Sequence, residues 1–73
     1  MSEYNIKFQW DADAAVWIAT SEGVPGLVLE SGSLDALMER VKLTVPELLE
    51  LNGVTNQALS LCFKSEKYEQ VYL

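Results

Sequence analysis

The sequence predicts a small α+β domain of order β-β-β-α-β, in which an antiparallel sheet is covered on one face by one helix. Three observations support this prediction. A chain of 73 residues buries only about 60% of the surface that it exposes when unfolded, so residues 1–73 are expected to form a single domain of two layers. Apolar residues alternate near the N-terminus, as in a half-buried strand. Between Leu34 and Leu49 they recur instead at helical spacing.

The N-terminal part predicts an antiparallel hairpin. The apolar side chains of its first strand share one face: Tyr4, Ile6, Phe8 and Trp10. Asp11 and Asp13 then supply residues that favour a turn, and residues 15–20 are typical of a second strand. Paired carboxylates could also serve metal binding or acid–base chemistry. We interpret Asp11 and Asp13 as turn residues, because glycosidase-type chemistry needs a shaped cleft and magnesium sites usually add substrate oxygens.

The second strand is apolar on both faces, which is unusual for a sheet with one solvated side. We expect Val16 and Ile18 to face the core. Trp17 then lies on the opposite face, together with Ala15 and Ala19. Because a large apolar patch on a small domain rarely stays exposed, Trp17 is either covered by the chain's own termini or part of an interface. We take Trp17 as a candidate interface residue.

A turn and a short third strand precede the helix. Pro25 and Gly26 suit the two central positions of a type II turn, since glycine adopts positive φ without strain. Residues 27–30 are expected to form the third strand. Ser33 is a good N-cap, so the helix is expected to begin at Leu34.

The helix is expected to continue to about Asn52 and Gly53, with an irregularity on the way. Pro46 lacks the N–H that would bond the Lys42 carbonyl, which predicts a kink or a restart of the helix there. Asn52 and Gly53 favour left-handed backbone and fit a C-terminal cap. The same pair also occurs in hairpin turns, but the long helical pattern before it favours the cap.

Two further strands are expected after the helix. Leu59, Leu61 and Phe63 alternate with less apolar residues and predict the fourth strand. Residues 67–73 have a weaker pattern, with Tyr68 and Tyr72 on one side, and predict a fifth strand that is either an edge strand or an arm paired with another chain. Because tyrosine is favoured at interfaces, both tyrosines are candidate interface residues, and we expect a homo-oligomer, either a dimer or a tetramer.

Composition excludes several classes of function. The chain has 5 Lys+Arg against 11 Asp+Glu, a net charge of −6, which opposes direct binding to nucleic acid or to an anionic membrane. The absence of His and the presence of one cysteine, Cys62, exclude an internal disulfide, the common zinc sites and His-dependent catalysis. We therefore expect no catalytic residue, no metal and no cofactor. Cys62 is expected to be a small core thiol, and the compartment to be reducing and cytoplasmic.

One helix face opposite the apolar stripe holds a second group of candidates. Leu43 lies there among acidic residues that include Glu47 and Glu50. These side chains are either ordinary solvated surface or a docking site. In the second case their charge suits a basic protein partner.

Several short motifs, in order along the chain, resemble the small HicB-like family. They are WIAT at 17–20, VPGLVLE at 24–30, SLDAL at 33–37 and VPELLELN at 45–52. This family is related to the HicB antitoxins, which neutralise HicA, a small basic RNA-cleaving toxin. The resemblance implies a β-β-β-α-β fold and carries over no catalytic residue.

Two functional hypotheses follow. The first is a non-enzymatic, antitoxin-like interaction module that masks a small basic toxin-like protein and associates with itself. The second is an orphan homo-oligomeric domain with a structural role or a small-ligand site. A third and weaker hypothesis is an enzyme, which is supported only by the carboxylates of Asp11 and Asp13.

Overall fold

Four strands form one sheet, and one helix packs on it, in the computed structural model, which describes residues 2–55 and 58–73. The order β-β-β-α-β is the predicted one. The elements are β1 (Ser2–Asp11), β2 (Val16–Thr20), β3 (Val28–Ser31), α1 (Leu34–Leu51) and β4 (Leu59–Glu66).

The sheet is mixed, with the spatial order β3-β2-β1-β4. The β1–β2 and β2–β3 pairs are antiparallel, whereas β4 runs parallel to β1. The prediction of an antiparallel sheet was therefore wrong for β4. The reason lies in α1, which carries the chain from β3 at one edge back along the sheet to the other edge, so that β3 and β4 run in the same direction.

The hairpin register decides which side chains face the helix. A loop of residues 12–15 places Asp11 opposite Val16, and therefore Trp10 opposite Trp17 and Phe8 opposite Ala19. Directly opposed residues point to the same side of a sheet. Trp17 and Ala19 consequently lie on the covered face, the side of the sheet that packs against α1.

The predicted orientation of β2 was thus wrong by one residue. Ala19 is fully buried, whereas Val16 and Ile18 lie half-buried on the open face, the side away from α1. Because both sets of side chains in β2 are apolar, the alternation pattern did not distinguish the two orientations. The loop length did, since Asp11 Oδ1 accepts hydrogen bonds from Asp13 N (3.0 Å) and Ala14 N (3.3 Å) and so fixes the turn.

The core lies between α1 and the covered face. Its fully buried residues come from two strands, the helix and the loop before β3: Ile6, Phe8, Ala19, Val24, Leu27, Leu37, Val41, Val45 and Leu49. The loop contributes because a tight turn folds it inward. Leu27 N donates to Val24 O (3.2 Å), and Gly26 has φ +85°, as the predicted type II turn requires.

Helix α1 is capped at both ends as the sequence predicts. Ser33 Oγ accepts a hydrogen bond from Ala36 N (3.2 Å), and Asn52 is the C-cap, followed by Gly53 at φ +85°. The helix continues through Pro46 as one element, so the expected restart does not occur. Packing of its buried face against the sheet holds the helix together across the missing hydrogen bond.

Residues 67–73, which we call the overhang, form no strand, so the predicted fifth strand is absent. The last register pair of β4 joins Glu66 to Gln9. The first strand ends at Asp11 and turns away, which leaves the overhang without a neighbouring strand. The molecule is accordingly elongated, with extents of 53 × 20 × 18 Å and a radius of gyration of 13.8 Å, against about 11 Å for a compact chain of this length.

Helices able to cross a bilayer, judged by length and apolar character, are absent from the described residues.

Candidate interaction surfaces

The first candidate surface is a groove beside β4. The backbone of helix α1 lies nearest to β3 and β2, toward the opposite edge of the sheet. The covered-face side chains of β4 are therefore only half-buried, although the Phe63 ring packs edge to face on Phe8, with ring centroids 5.2 Å apart. We call this region the β4 groove. It has a volume of about 400 Å³ and is lined by Leu59, Leu61, Phe63, Lys42 and Pro46.

The overhang projects from the end of this groove. Tyr68 is 88% exposed, Val71 86% and Tyr72 84%. Lys67, by contrast, makes two contacts through its Nζ atom. This atom lies 4.3 Å from the centroid of the Trp10 ring and 3.1 Å from Glu69 Oε1. The structure thus places Tyr68 and Tyr72, both candidate interface residues, on a segment that leaves the sheet with its apolar side chains in solvent.

The outer helix surface is the second candidate, and it consists of Leu43, Glu47 and Glu50. Leu43 is 72% exposed, and both glutamates are exposed. The cations of α1 are engaged elsewhere. Lys42 Nζ lies 2.7 Å from Glu39 Oε1, and Arg40 Nη1 donates to the Glu30 carbonyl (2.9 Å).

Glu47 and Glu50 therefore remain without an ion pair among residues 2–55 and 58–73. The structure brings these three predicted residues together on one solvent-facing side of the helix. Leu51, 83% exposed, lies one residue beyond Glu50. The surface thus combines apolar area with uncompensated negative charge.

Trp17 belongs to neither surface. Its half-buried ring packs against the core cluster and meets the Trp10 ring edge to face, with centroids 5.4 Å apart. The expectation that Trp17 lies on the face away from the core was wrong. Residues of its own chain thus cover part of the ring, as in the alternative interpretation, and one of them is its register partner Trp10.

The open face of the sheet is mainly polar. Cys62 lies there, half-buried opposite Asn5, so the prediction of a core thiol was wrong. A cleft of about 730 Å³ runs along this face and its end. Lys7 and Lys64, which are register partners, line it together with the carboxylates of Glu3, Glu22 and Glu66. Groups of three or more potential metal ligands do not occur in the described part of the chain.

Asp11 has a role that is visible in the structure. Its carboxylate accepts the two backbone hydrogen bonds of the hairpin loop. This is the turn function that the sequence predicted. Asp13 is exposed in the same loop.

A family model described as "Domain of unknown function (DUF1902)" matches residues 3–73. The chain belongs to the DUF1902 family. A search of curated proteins finds no match. A crystal structure of the hypothetical protein TTHA1013 from the extremely thermophilic bacterium Thermus thermophilus is similar to this DUF1902 domain at 33% identity. The similarity covers 94% of this chain and 99% of that one, with a TM-score of 0.80.

These similarities establish the α+β fold of the DUF1902 domain. Neither description mentions a toxin or an antitoxin, so the relationship to HicB proteins stays a prediction.

Sequence reasoning did not find the β4 groove. It identified the alternation of Leu59, Leu61 and Phe63 but not the direction of their strand, and thus not the distance of that strand from α1. One signal was present in the sequence. A strand that follows a long helix after another strand is a standard setting for parallel pairing.

Proposed function

We propose that this DUF1902 domain is a non-enzymatic protein-binding module whose outer helix surface binds a basic protein. The observation that carries the proposal is the exposure of Leu43 (72%) beside two glutamates that have no ion pair in the described ranges 2–55 and 58–73. A leucine in that position offers apolar area for burial. The carboxylates around it select a partner by charge.

Two physical effects would act together at this surface. Exposed charges mainly raise the association rate and favour partners of opposite sign, and their effect weakens with salt. Burial of Leu43 would mainly lower the dissociation rate, as apolar contacts at the centre of an interface do. Helix α1 has 18 residues and is therefore about 27 Å long, enough to fill a groove on a small partner.

The resemblance to HicB-like proteins narrows the partner further. A small, basic, RNA-cleaving toxin has the charge that Glu47 and Glu50 would attract. An acidic chain of net charge −6 is suited to covering such a protein, and it needs no catalytic residue to do so. In this proposal the domain acts as an antitoxin-like mask.

The test begins with capture of the tagged protein from its native cell extract, with and without ribonuclease. A small basic protein recovered in both cases is then purified and its binding measured by surface plasmon resonance at several salt concentrations. The Glu47→Lys/Glu50→Lys variant has a net charge of −2, since each substitution adds two charges to −6. An Asp13→Lys/Glu22→Lys variant has the same net charge and leaves the helix unchanged.

The proposal predicts that the helix variant associates at least about tenfold more slowly at low salt and loses most of its salt dependence. Leu43→Asp should also release the partner. The control variant should retain most of the wild-type rate. Equal losses in both double variants would show that only net charge matters and would overturn the assignment to α1, as would full binding by Leu43→Asp.

The cleft on the open face supports a second candidate, a small-ligand site. Its volume of about 730 Å³ and the adjacent Lys7 and Lys64 would suit a small anionic molecule. Nuclear magnetic resonance titration with a panel of anionic metabolites tests it, because Trp10 and Trp17 lie on the other face and would not report binding by fluorescence. Saturable shifts confined to Lys7 and Lys64 would favour this candidate, and their absence would reject it.

A further inference from the structure

We propose that a second copy of this chain pairs with the free edge of β4, in antiparallel orientation, and that the overhang of each copy covers the β4 groove of the other. The two copies would form one continuous sheet with both helices on the same side. This inference concerns a different surface from the outer helix surface, so the two proposals can fail independently.

The backbone of β4 provides the first argument. No strand of the described part of the chain lies beyond β4, which is an eight-residue edge strand. Its outward N–H and C=O groups are thus available to a further strand. Native proteins commonly protect such an edge with proline, bulges or inward charges, but residues 59–63 contain none of these.

The overhang provides the second argument. It cannot extend the sheet of its own copy, because β1 ends at Asp11 and the last register pair is Gln9 with Glu66. Its apolar side chains are nevertheless placed in solvent, at 84% exposure or more for Tyr68, Val71 and Tyr72. An unpaired extended segment beside an uncovered apolar groove is complementary to a second copy of itself.

Strand alternation indicates which overhang residues would reach the groove. Leu59, Leu61 and Phe63 lie on the covered face, and Lys67 continues that alternation, since it contacts the Trp10 ring. If the overhang extends the strand, Glu69, Val71 and Leu73 also point to the covered face. Val71 would then supply the apolar contact with the groove of the second copy, next to the aliphatic stems of Lys67 and Glu69.

Charge determines the register. When Ser65 of one copy lies opposite Ser65 of the other, Lys64 of each copy lies opposite Glu66 of the other copy. In the same register Leu59 of each copy lies opposite Val71 of the other. A shift of the two-fold axis by one residue in either direction brings Lys64 against Lys64 or Glu66 against Glu66. Because like charges directly opposite each other destabilise a sheet, the Ser65 register is preferred.

This register also places an opposite charge beside a pair of neighbouring lysines within each copy. Lys7 and Lys64 are neighbours on the open face of β1 and β4. Glu66 of the second copy would place a carboxylate on the other side of Lys64. The charge pattern of the edge is therefore complementary to itself in one register.

The first experiment is sedimentation velocity of the full chain across protein concentration. The proposal predicts a dimer and a shift of Val71→Asp toward monomer by at least tenfold in dissociation constant. Val71 is 86% exposed in the single copy, so the variant should keep its circular dichroism spectrum and melting temperature as a monomer. The matched control is Val28→Asp, at 71% exposure on the opposite edge, which should leave the dimer unchanged.

Two further variants test the register itself. Lys64→Glu and Glu66→Lys should each weaken the dimer, and the double exchange Lys64→Glu/Glu66→Lys should restore it. In a Cys62→Ser background, Ser65→Cys should form a disulfide between copies on oxidation, because directly opposed strand residues lie within disulfide distance. A Ser21→Cys control should not.

The proposal is overturned if the wild-type chain is monomeric at all concentrations. It is also overturned if Val71→Asp and Val28→Asp dimerise alike, or if Ser65→Cys does not cross-link. The Glu47→Lys/Glu50→Lys variant should lose the basic partner but still form the dimer. This difference allows the dimer and the proposed function to be tested separately.

Discussion

The indole rings of Trp10 and Trp17 pack edge to face across the β1–β2 hairpin, with centroids 5.4 Å apart and an interplanar angle of 62°. The pair closes the end of the covered face nearest the hairpin loop. The ammonium of Lys67 packs against Trp10 on the same side of the sheet. Trp17 is therefore part of the packing that holds the hairpin to the rest of the domain.

Trp17→Ala should lower the free energy of unfolding by about 2–3 kcal/mol, below the cost for a fully buried tryptophan because this ring is half-buried. Urea denaturation followed by circular dichroism measures the loss. A double-mutant cycle with Trp10→Leu and Trp17→Leu should show a coupling of about 1 kcal/mol. A cycle that is additive would mean that the two rings contribute separately, and a change of oligomeric state alone would return Trp17 to an interface role.

Pro46→Ala should stabilise the monomeric fold. The substitution restores an N–H that can bond the Lys42 carbonyl within α1, which is worth about 1–3 kcal/mol in a helix interior. Thermal unfolding measures the gain, and Leu43→Ala, an exposed substitution in the same helix, serves as the control with little change. A loss of stability in Pro46→Ala would show that the contacts of the proline ring along the β4 groove outweigh the missing hydrogen bond.

Gly53→Ala should destabilise the domain by about 1–2 kcal/mol, because an L-residue is strained in left-handed backbone. Gly53 has φ +85°, and a Cβ there would meet no atom within 4 Å, so backbone strain is the only cost. Gly32→Ala is the matched control. A Cβ at position 32 would lie at an ordinary 3.9 Å from the Ala15 carbonyl oxygen, and the φ of Gly32 is not in the left-handed region. The free energy of unfolding of the domain should therefore hardly change. Equal effects of the two substitutions would contradict the cap assignment.

Local features of this fold were predictable from the sequence. The Ser33 cap, the turn at Pro25 and Gly26, and the end of α1 at Asn52 each depend on the chemistry of a few adjacent residues. Relations between distant segments were not predictable in the same way. The direction of β4 and the absence of a strand at residues 67–73 depend on where β1 ends, and no periodicity within those segments contains that information.

The candidate site shows the same division. Exposure of Leu43, Glu47 and Glu50 follows from the helical repeat, so the sequence placed all three correctly on the outer helix surface. The face of Trp17 does not follow from its own strand, because Val16 and Ile18 are as apolar as their neighbours. The hairpin loop determines the face on which Trp17 lies, because the loop sets Trp10 opposite Trp17.

The parallel pairing of β1 with β4 also constrains when the protein can fold during its synthesis. The first strand is synthesised before the other strands of the sheet, yet one of its two neighbours is residues 59–66. Until that strand has emerged, the edge of β1 from Ser2 to Gln9 has no partner, and Ile6 and Phe8 have only part of their cover. Contacts between segments so far apart in sequence form late. The sheet is therefore complete only after residues 59–66 have been synthesised, and until then the edge of β1 is open to pairing with other chains.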